Sequence, residues 1–340
     1  MGRGDGGDFV FTAADGTTRL DHELERFVAT SGELVAWVRV PLLTPGTDTT
    51  LYLYYGNAAA APQSHRVGVW SGHYRGVWHL SEGAPSSQGG ADATANGTNG
   101  APVGTIAPYG GPIGGGFDFT AASNYLSHGN PPAVRLNGAM TVSFWINPRT
   151  YTSTGAVIGK QGGGGARSWV VRLDSYGGIN FNLAVDANQV VNAYSEVLPQ
   201  DTWSYVTAVY EPGVAMRVYV NGALDGELTS GVPPAQYDNS LSMLMGKRNG
   251  CDPCEIDSRL DEVRLEATAR DAAWITTQYR NQVSPGTFSA VSPVTSYPAV
   301  PPPTDTATPT DTATATNTPT DTATPTNTPT DTATPTNTPT

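Results

Sequence analysis

The sequence has little positive charge, few cysteines and no long apolar run. Lysine and arginine number 18 of 340 residues against 30 acidic residues, which gives a formal net charge of −12. Binding to nucleic acid or to an anionic membrane surface needs clustered lysine and arginine. A membrane-spanning helix needs roughly 18 consecutive apolar residues, and the sequence has no such run. We therefore expect no nucleic-acid partner and no membrane insertion from this chain.

A helix-rich composition is also absent. Only 14% of residues are charged, whereas glycine numbers 39 and proline 27, and this balance favours an all-β body. Two strand patterns form a first unit, at 34–40 and 50–55. The strand patterns of a second unit lie at 116–120, 139–147, 168–173, 179–185, 203–210, 215–220, 242–246 and 259–265. Successive strands joined by turns predict an antiparallel β-sandwich.

Local signals mark one hairpin and one helix. Asn221-Gly222 supplies the two positive-φ positions of a type I′ turn. A short helix is expected over 271–280, because Asp271 can cap its first turn. Alternation predicts the core faces of the strands. In the last strand it places Asp261 in phase with Val263 and Leu265, so this carboxylate is expected to point inward.

Residues 301–340 contain only Thr, Pro, Ala, Asp and Asn, and the unit DTATPTNTPT recurs there. Such a segment cannot offset its chain entropy by apolar burial, so we expect a disordered Thr/Pro-rich linker over 291–340. The chain begins almost at once with a strand pattern and stops within the repeat. We therefore expect that the natural protein extends beyond both ends.

Four segments resemble the laminin-G-like, concanavalin A-like jelly-roll modules of secreted bacterial proteins. They are Gly76-Val77-Trp78-His79-Leu80-Ser81-Glu82, Gly116-Phe117-Asp118-Phe119, Val218-Tyr219-Val220-Asn221-Gly222 and Leu260-Asp261-Glu262-Val263-Arg264-Leu265. Three earlier segments resemble the later part of a DUF2341 domain: Asp8-Phe9-Val10-Phe11-Thr12, Ala36-Trp37-Val38-Arg39-Val40-Pro41 and Leu51-Tyr52-Leu53-Tyr54-Tyr55-Gly56-Asn57. We therefore expect a partial DUF2341-like β domain over 1–62 and a jelly roll over 63–290.

The jelly-roll resemblance implies two antiparallel sheets, often a structural Ca²⁺, and a binding role at an extracellular or cell-surface location. Its partner would be a polysaccharide or a cell-surface glycan or protein. The same sandwich also carries glycosidases, so the fold alone does not decide the function.

A glycosidase of this fold needs two carboxylates on one strand face. Glu255-Ile256-Asp257 begins such a pattern, but Arg259 and Leu260 occupy the positions where the second glutamate should follow. No Gly-x-Ser-x-Gly nucleophile motif occurs either. We therefore expect no catalytic residues.

Cys251 and Cys254, the only cysteines, form one Cys-x-x-Cys motif. A disulfide closing the Pro-containing loop fits a secreted protein best, with free thiols second. A redox site would need a thioredoxin-like setting, and a zinc site would need two further ligands nearby.

Aromatic side chains outside the family-like segments are the candidate sugar-stacking residues: Tyr151, Trp169, Tyr176 and Tyr194. For each of them, an ordinary exposed or half-buried strand aromatic is the favoured alternative. The resemblance also suggests a calcium site in which Asp92 and Asn96, from an oxygen-rich loop, join Asp261. The alternatives for Asp261 are a salt bridge or backbone hydrogen bonds.

These observations predict a non-catalytic extracellular recognition module that binds carbohydrate or acts in adhesion. A purely structural or adhesive spacer is the alternative, and a glycosidase-related sandwich is the third.

Overall fold

The computed structural model describes residues 2–83, 89–120, 123–151 and 155–295. The described residues up to Ala290 belong to one compact unit. The predicted disorder of the Thr/Pro-rich repeat at 301–340 lies outside the described residues, and so does most of the predicted linker at 291–340.

The first half of the chain forms strands β1 (Val10–Thr12), β2 (Arg19–Leu20), β3 (His22–Val28), β4 (Glu33–Val38), β5 (Tyr52–Tyr54), β6 (Tyr74–Trp78), β7 (Ala101–Val103), β8 (Ala107–Tyr109), β9 (Gly116–Phe119), β10 (Tyr125–Ser127), β11 (Met140–Pro148) and β12 (Ala156–Gly159). The second half forms β13 (Val170–Leu173), β14 (Gly178–Ala184), β15 (Val190–Val197), β16 (Ser204–Glu211), β17 (Ala215–Val220), β18 (Ala223–Leu228), β19 (Leu244–Met245) and β20 (Ser258–Glu266). The helices are α1 (Arg66–Val69), α2 (Ala272–Val283) and α3 (Pro285–Phe288), with a short 3₁₀ helix at Pro132–Val134. No helix among the described residues has the length and apolar character needed to cross a bilayer.

Two antiparallel sheets form the main body. The seven-stranded sheet has the order β15-β14-β13-β12-β19-β10-β7, and the eight-stranded sheet has the order β18-β17-β16-β11-β20-β9-β8 with β6 beside β20. Their facing sides enclose a single large core, to which β11 contributes Phe144 and Ile146 and β14 contributes Ile179 and Phe181, all fully buried. The predicted all-β antiparallel sandwich is thus confirmed.

The N-terminal part makes two small sheets of its own. One has the order β2-β1-β5, and the other is the hairpin β3-β4. Trp37 of this hairpin packs against the cluster of Val69, Trp70, Val77 and Ala93. The hairpin therefore covers part of the outer face of the eight-stranded sheet, where β6 carries Val77.

The predicted hairpin and helix are both present. Asn221 and Gly222 have φ angles of 50° and 79°, as the type I′ turn requires, and they join β17 to β18. Asp271 lies at the N-cap of α2, where its carboxylate accepts a hydrogen bond of 2.8 Å from the amide of Trp274. Ile275 of this helix is fully buried against Val209 and Tyr219.

A β-bulge in β20 corrects the predicted phase of the last strand. Trp145 pairs with Asp261 and Ser143 pairs with Arg264, so the register between β11 and β20 shifts at Glu262, whose φ is 52°. Leu260, Val263 and Leu265 face the core. Asp261 is buried, as expected, but it lies on the opposite face of the sheet from these residues.

Candidate functional site on the seven-stranded sheet

The outer face of the seven-stranded sheet carries polar side chains. Along β14, Ile179, Phe181 and Leu183 enter the core, so alternation turns Asn180 and Asn182 to the other side. Cross-strand pairing extends this face into two rows. Arg172, Asn180 and Tyr194 form one row, and Val170, Asn182 and Asn192 form the other.

An amide ladder crosses this outer face. Gln161 Nε2 donates to Asn182 Oδ1, and Asn182 Nδ2 donates to Asn192 Oδ1 at 2.5 Å. The acceptor oxygens Gln161 Oε1 and Asn180 Oδ1 are buried and have no hydrogen-bond partner among the described residues. Buried polar atoms are normally satisfied, so these two oxygens are unusual positions in the sheet.

Three arginines of the seven-stranded sheet and its loops interact electrostatically. Arg172 lies on β13, Arg167 lies in the loop before β13, and Arg248 follows β19. Burial lowers the pKa of Arg172, and the positive charges of Arg248 and Arg167 lower it further. Burial and the charge of Arg167 likewise lower the pKa of Arg248. The charges of Arg167 and Arg248 thus disfavour the charged form of Arg172, whereas the carboxylate of Asp174 favours it. We call them the arginine triad.

Two of the four predicted aromatic residues are accessible. Tyr194 is 53% exposed on the outer face, and Tyr176, in the turn between β13 and β14, is 82% exposed. Tyr151 is half-buried, and its hydroxyl donates to the carbonyl of Leu198 at 2.6 Å. Trp169 is fully buried in the core, so its prediction as a ligand-stacking residue is wrong. Val171 and Leu173 of β13 face the core, and Trp169 continues this alternation just before the strand. The short strand pattern after a glycine run does not reveal which side of the sheet faces the core.

The predicted calcium ligands do not form one donor set. Asp92 Oδ1 accepts hydrogen bonds from the amides of Val77 and Thr94, while its Oδ2 accepts from the hydroxyl of Thr94 and the amide of Thr98. All four bonds are 2.8–3.1 Å long, so this carboxylate is fully engaged in fixing its own loop.

The other two predicted calcium ligands have different surroundings. The side-chain amide of Asn96 donates to the carbonyls of Tyr74 and Arg75. Asp261 Oδ2 instead accepts from the amide of Ile113 at 2.9 Å. Asp92, Asn96 and Asp261 therefore do not fit the calcium site that the sequence suggests. Calcium binding elsewhere stays a prediction.

Cys251 and Cys254 are joined by a disulfide, with Cα atoms 5.4 Å apart. The loop that it closes leads directly from Arg248, whose amide donates to the carbonyl of Cys254 at 3.2 Å. This loop therefore fixes the backbone that carries one member of the arginine triad.

A second group of ionisable side chains is buried between the hairpin β3-β4 and the eight-stranded sheet. It comprises Glu23, Glu25, His79, Asp261, Glu262 and Arg264, and we call it the junction cluster. His79 Nδ1 lies 2.5 Å from Glu262 Oε1 and 3.6 Å from Glu25 Oε2, and its Nε2 lies 3.2 Å from Glu23 Oε2. Arg264 Nη2 contacts Glu262 Oε2 at 2.5 Å.

Burial and the opposing charges set the protonation states in the junction cluster. Burial lowers the pKa of His79, but the carboxylates of Glu262, Glu23 and Glu25 outweigh it and hold that pKa well above its usual value. Burial and repulsion by Glu262 raise the pKa of Glu25 to about 7. Burial, again with Glu262, raises the pKa of Asp261 well above its usual value.

Three members of the junction cluster have the spacing of a metal centre. Ligand atoms of Glu25, His79 and Glu262 lie within 4.8 Å of one another, which a divalent cation could bridge. Glu262, however, already has His79 and Arg264 as cationic partners. The cluster thus obtains its opposing charge from the protein itself.

Comparisons with known families match both parts of the chain. Residues 120–276 match the model of the concanavalin A-like lectin/glucanases superfamily. Residues 5–71 match the model of a domain of unknown function, DUF2341. Both resemblances that the sequence suggested are therefore confirmed. No curated protein matches the sequence significantly.

Several solved structures are similar to this chain at low identity. The binding domain of Paraclostridial Mosquitocidal Protein 1 matches 62% of this chain over 52% of its own, with 13% identity and a TM-score of 0.50. The botulinum neurotoxin serotype D ligand-binding domain in complex with N-acetylneuraminic acid matches 62% over 51%, with 13% identity and a TM-score of 0.48.

Domain 4 of the Geobacillus stearothermophilus arabinanase AbnA, in complex with arabinotriose, matches 60% of this chain over 97% of its own, with 18% identity and a TM-score of 0.46. The matched part of this chain spans about half the length of the toxin binding-domain chains. Likeness at these identities concerns the fold alone.

Proposed function

We propose that this protein is a non-catalytic extracellular module that binds carbohydrate on the outer face of its seven-stranded sheet. The observation that carries the proposal is the polar outer face itself, where Asn192, the partly exposed end of the amide ladder, lies on the same face of β15 as the exposed ring of Tyr194. Sugar hydroxyls both donate and accept hydrogen bonds, and a sugar ring packs its C–H face on an aromatic ring. The amide ladder offers the first kind of contact and Tyr194 offers the second.

The partial glutamate motif supports a binding role over catalysis. Glu255 is paired with Lys247 at 2.5 Å, and Asp257 is paired with Arg149 at 2.6 Å. Burial alone would raise the pKa of Glu255, but the hydrogen bond from Lys247 outweighs it and lowers that pKa. A general acid in glycoside hydrolysis needs a raised pKa. Release of reducing sugar from polysaccharides, lost in Glu255→Gln, would contradict the non-catalytic role.

Binding to a glycan array, followed by calorimetry with the best ligand, tests the carbohydrate function. We expect Tyr194→Ala to weaken binding about tenfold or more, since base and sugar stacking contacts of this kind contribute on the order of 1–3 kcal/mol. Tyr109→Ala is the matched control, because Tyr109 is 42% exposed on the other sheet. Equal effects of the two substitutions would contradict the site, and failure of every glycan to bind would favour a structural spacer.

A further inference from the structure

A cavity of about 290 Å³ lies between the eight-stranded sheet and the start of α2, and we call it the helix cavity. Glu211 is the last residue of β16, and Arg217 and Tyr219 come from β17, whose alternate residues enter the core. Arg217 and Tyr219 therefore lie on the outer face of this sheet, where the segment 269–272 completes the wall of the cavity. Small-molecule sites are concave and combine an apolar wall with a few convergent polar groups, so the helix cavity is a candidate ligand site.

The charges that line the helix cavity are balanced. The lining holds two basic and two acidic side chains, Arg217 and Arg270 with Glu211 and Asp271. Arg217 Nη1 contacts Glu211 Oε2 at 2.8 Å. Arg270 Nε donates to the carboxylate of Glu266, just outside the lining, at 2.6 Å. Because the lining carries as many positive as negative groups, it favours an uncharged polar ligand over an ion.

Three polar groups of the lining have no hydrogen-bond partner among the described residues. Arg217 donates through Nε and Nη1, and Asp271 accepts through Oδ1 in the helix cap, so Arg217 Nη2, Asp271 Oδ2 and the hydroxyl of Tyr219 are left. Burial outweighs the charge of Arg217 and raises the pKa of Tyr219, so this hydroxyl keeps its proton. The lining thus offers a donor, an acceptor and a group that is both, which matches the neighbouring hydroxyl groups of a sugar.

Aromatic surface lies beside these polar groups. The side chain of Trp274 is 43% exposed, and the centre of its ring system is 3.9 Å from Cζ of Arg270. Its exposed indole can pack against the C–H face of a sugar ring. The ring of Tyr219 is buried against Ile275 of α2, which fixes the position of its hydroxyl.

We infer that the helix cavity binds one uncharged sugar unit, as a second saccharide site on the eight-stranded sheet. Hydroxyl groups of the sugar accept from Arg217 Nη2, donate to Asp271 Oδ2 and pair with the hydroxyl of Tyr219, while its ring packs beside Trp274. The inference does not need the site on the outer face of the seven-stranded sheet, because the two sites share no residue.

Amide correlation spectra test this inference with four uncharged probes, the methyl glycosides of glucose, galactose, mannose and arabinose. We expect at least one probe to shift the indole N–H resonance of Trp274 saturably, with a Kd on the order of 1 mM, since a single sugar makes few contacts. The spectrum of Trp274→Ala assigns this resonance. Tetrahydropyran-2-methanol keeps the ring but lacks neighbouring hydroxyl groups, so it should cause no saturable shift.

Substitutions locate the bound sugar. Tyr219→Phe removes the hydroxyl and keeps the packed ring, and it should weaken binding of the same probe about threefold to tenfold, as expected for one hydrogen bond. Trp274→Ala should weaken binding about tenfold, measured on the backbone amides of 269–272. Phe288→Ala is the matched control for Trp274→Ala, because Phe288 is 42% exposed on α3 and lies outside the lining. It should leave the affinity unchanged.

The outcomes separate this inference from the proposed function. Absence of a saturable shift with all four probes, or equal affinities of the wild type and Tyr219→Phe, would overturn the sugar site in the helix cavity. Saturable binding of putrescine or acetate there, in place of the sugars, would overturn the uncharged ligand. A probe whose binding is lost in Tyr194→Ala and kept in Tyr219→Phe would belong to the outer face and would also overturn this inference. Binding in the helix cavity without any effect of Tyr194→Ala on glycan binding would support this inference and contradict the site proposed above.

Discussion

Single side chains of the junction cluster are expected to control how stability depends on pH. The side chain of Glu25 is almost fully buried, and its pKa is raised from 4.5 to about 7 by burial and by repulsion from Glu262. Its anion is held by the indole of Trp37, which donates to Oε2 at 2.7 Å. This hydrogen bond and the nearby charge of His79 do not offset the loss of water.

We expect the free energy of unfolding to fall as the pH rises from about 4.5 to about 7, because the folded state binds a proton that the unfolded state has released. The loss attributable to Glu25 is a few kcal/mol, at about 1.4 kcal/mol per pKa unit. The raised pKa of His79 acts in the same direction. The stabilisation from its protonated ring is fully present below the pKa of the unfolded state and is lost as the pH rises through the higher pKa of the folded state. Urea unfolding at about pH 5 and about pH 8 measures the slope.

Glu25→Gln keeps an acceptor for Trp37 and removes the titration, so its slope over this range should be shallower than that of the wild type. Glu33→Gln is the control, because Glu33 lies on the same hairpin with its side chain 49% exposed. Parallel slopes for the wild type and Glu25→Gln would show that this carboxyl is not responsible.

Secondary-structure elements were predictable where side-chain alternation or a cap specified them. β11, with Met140, Val142, Phe144 and Ile146 on one face, and the capped helix α2 are examples. β15 was missed, because its polar residues and exposed edge position weaken the alternation.

The bulge at Glu262 could not be predicted from local sequence either. A positive φ at a non-glycine residue leaves no signal in the local sequence. Glu262 is held in this conformation by contacts with His79, which is distant in sequence, and with Arg264, which lies across the bulge. The interaction among the arginines of the triad could not be predicted either, because Arg248 is far in sequence from Arg167 and Arg172.

The N-cap of α2 allows a test at the scale of one element. Asp271→Ala removes the acceptor for the amide of Trp274 and should destabilise the protein by about 1 kcal/mol. Asp271→Asn keeps a capping oxygen and should lower the free energy of unfolding much less. Chemical denaturation of the two variants and the wild type provides the comparison, and equal midpoints for Asp271→Ala and the wild type would contradict the cap.

At the scale of the whole molecule, the parts that match two families share one compact unit. The junction cluster joins them, because Glu23 and Glu25 come from the N-terminal hairpin, whereas His79 and Glu262 come from the sandwich. The outer face of the seven-stranded sheet belongs to the sandwich alone. The proposed carbohydrate site and the attachment of the N-terminal part therefore lie on opposite sheets, so we expect that one can be altered without the other.

This shared burial predicts that the two parts unfold together. Opening of the N-terminal part alone would remove the ring of Trp37 from Arg264, which it contacts at 4.4 Å, and expose the buried Trp70 and Val77 to water. We therefore expect a single calorimetric transition whose enthalpy equals the van't Hoff value. Trp37→Ala should lower the transition temperature or split the transition, whereas Tyr52→Ala, an exposed residue of β5, should do neither. Two separate transitions in the wild type, neither of which shifts in Trp37→Ala, would mean that the hairpin and the sandwich are energetically independent.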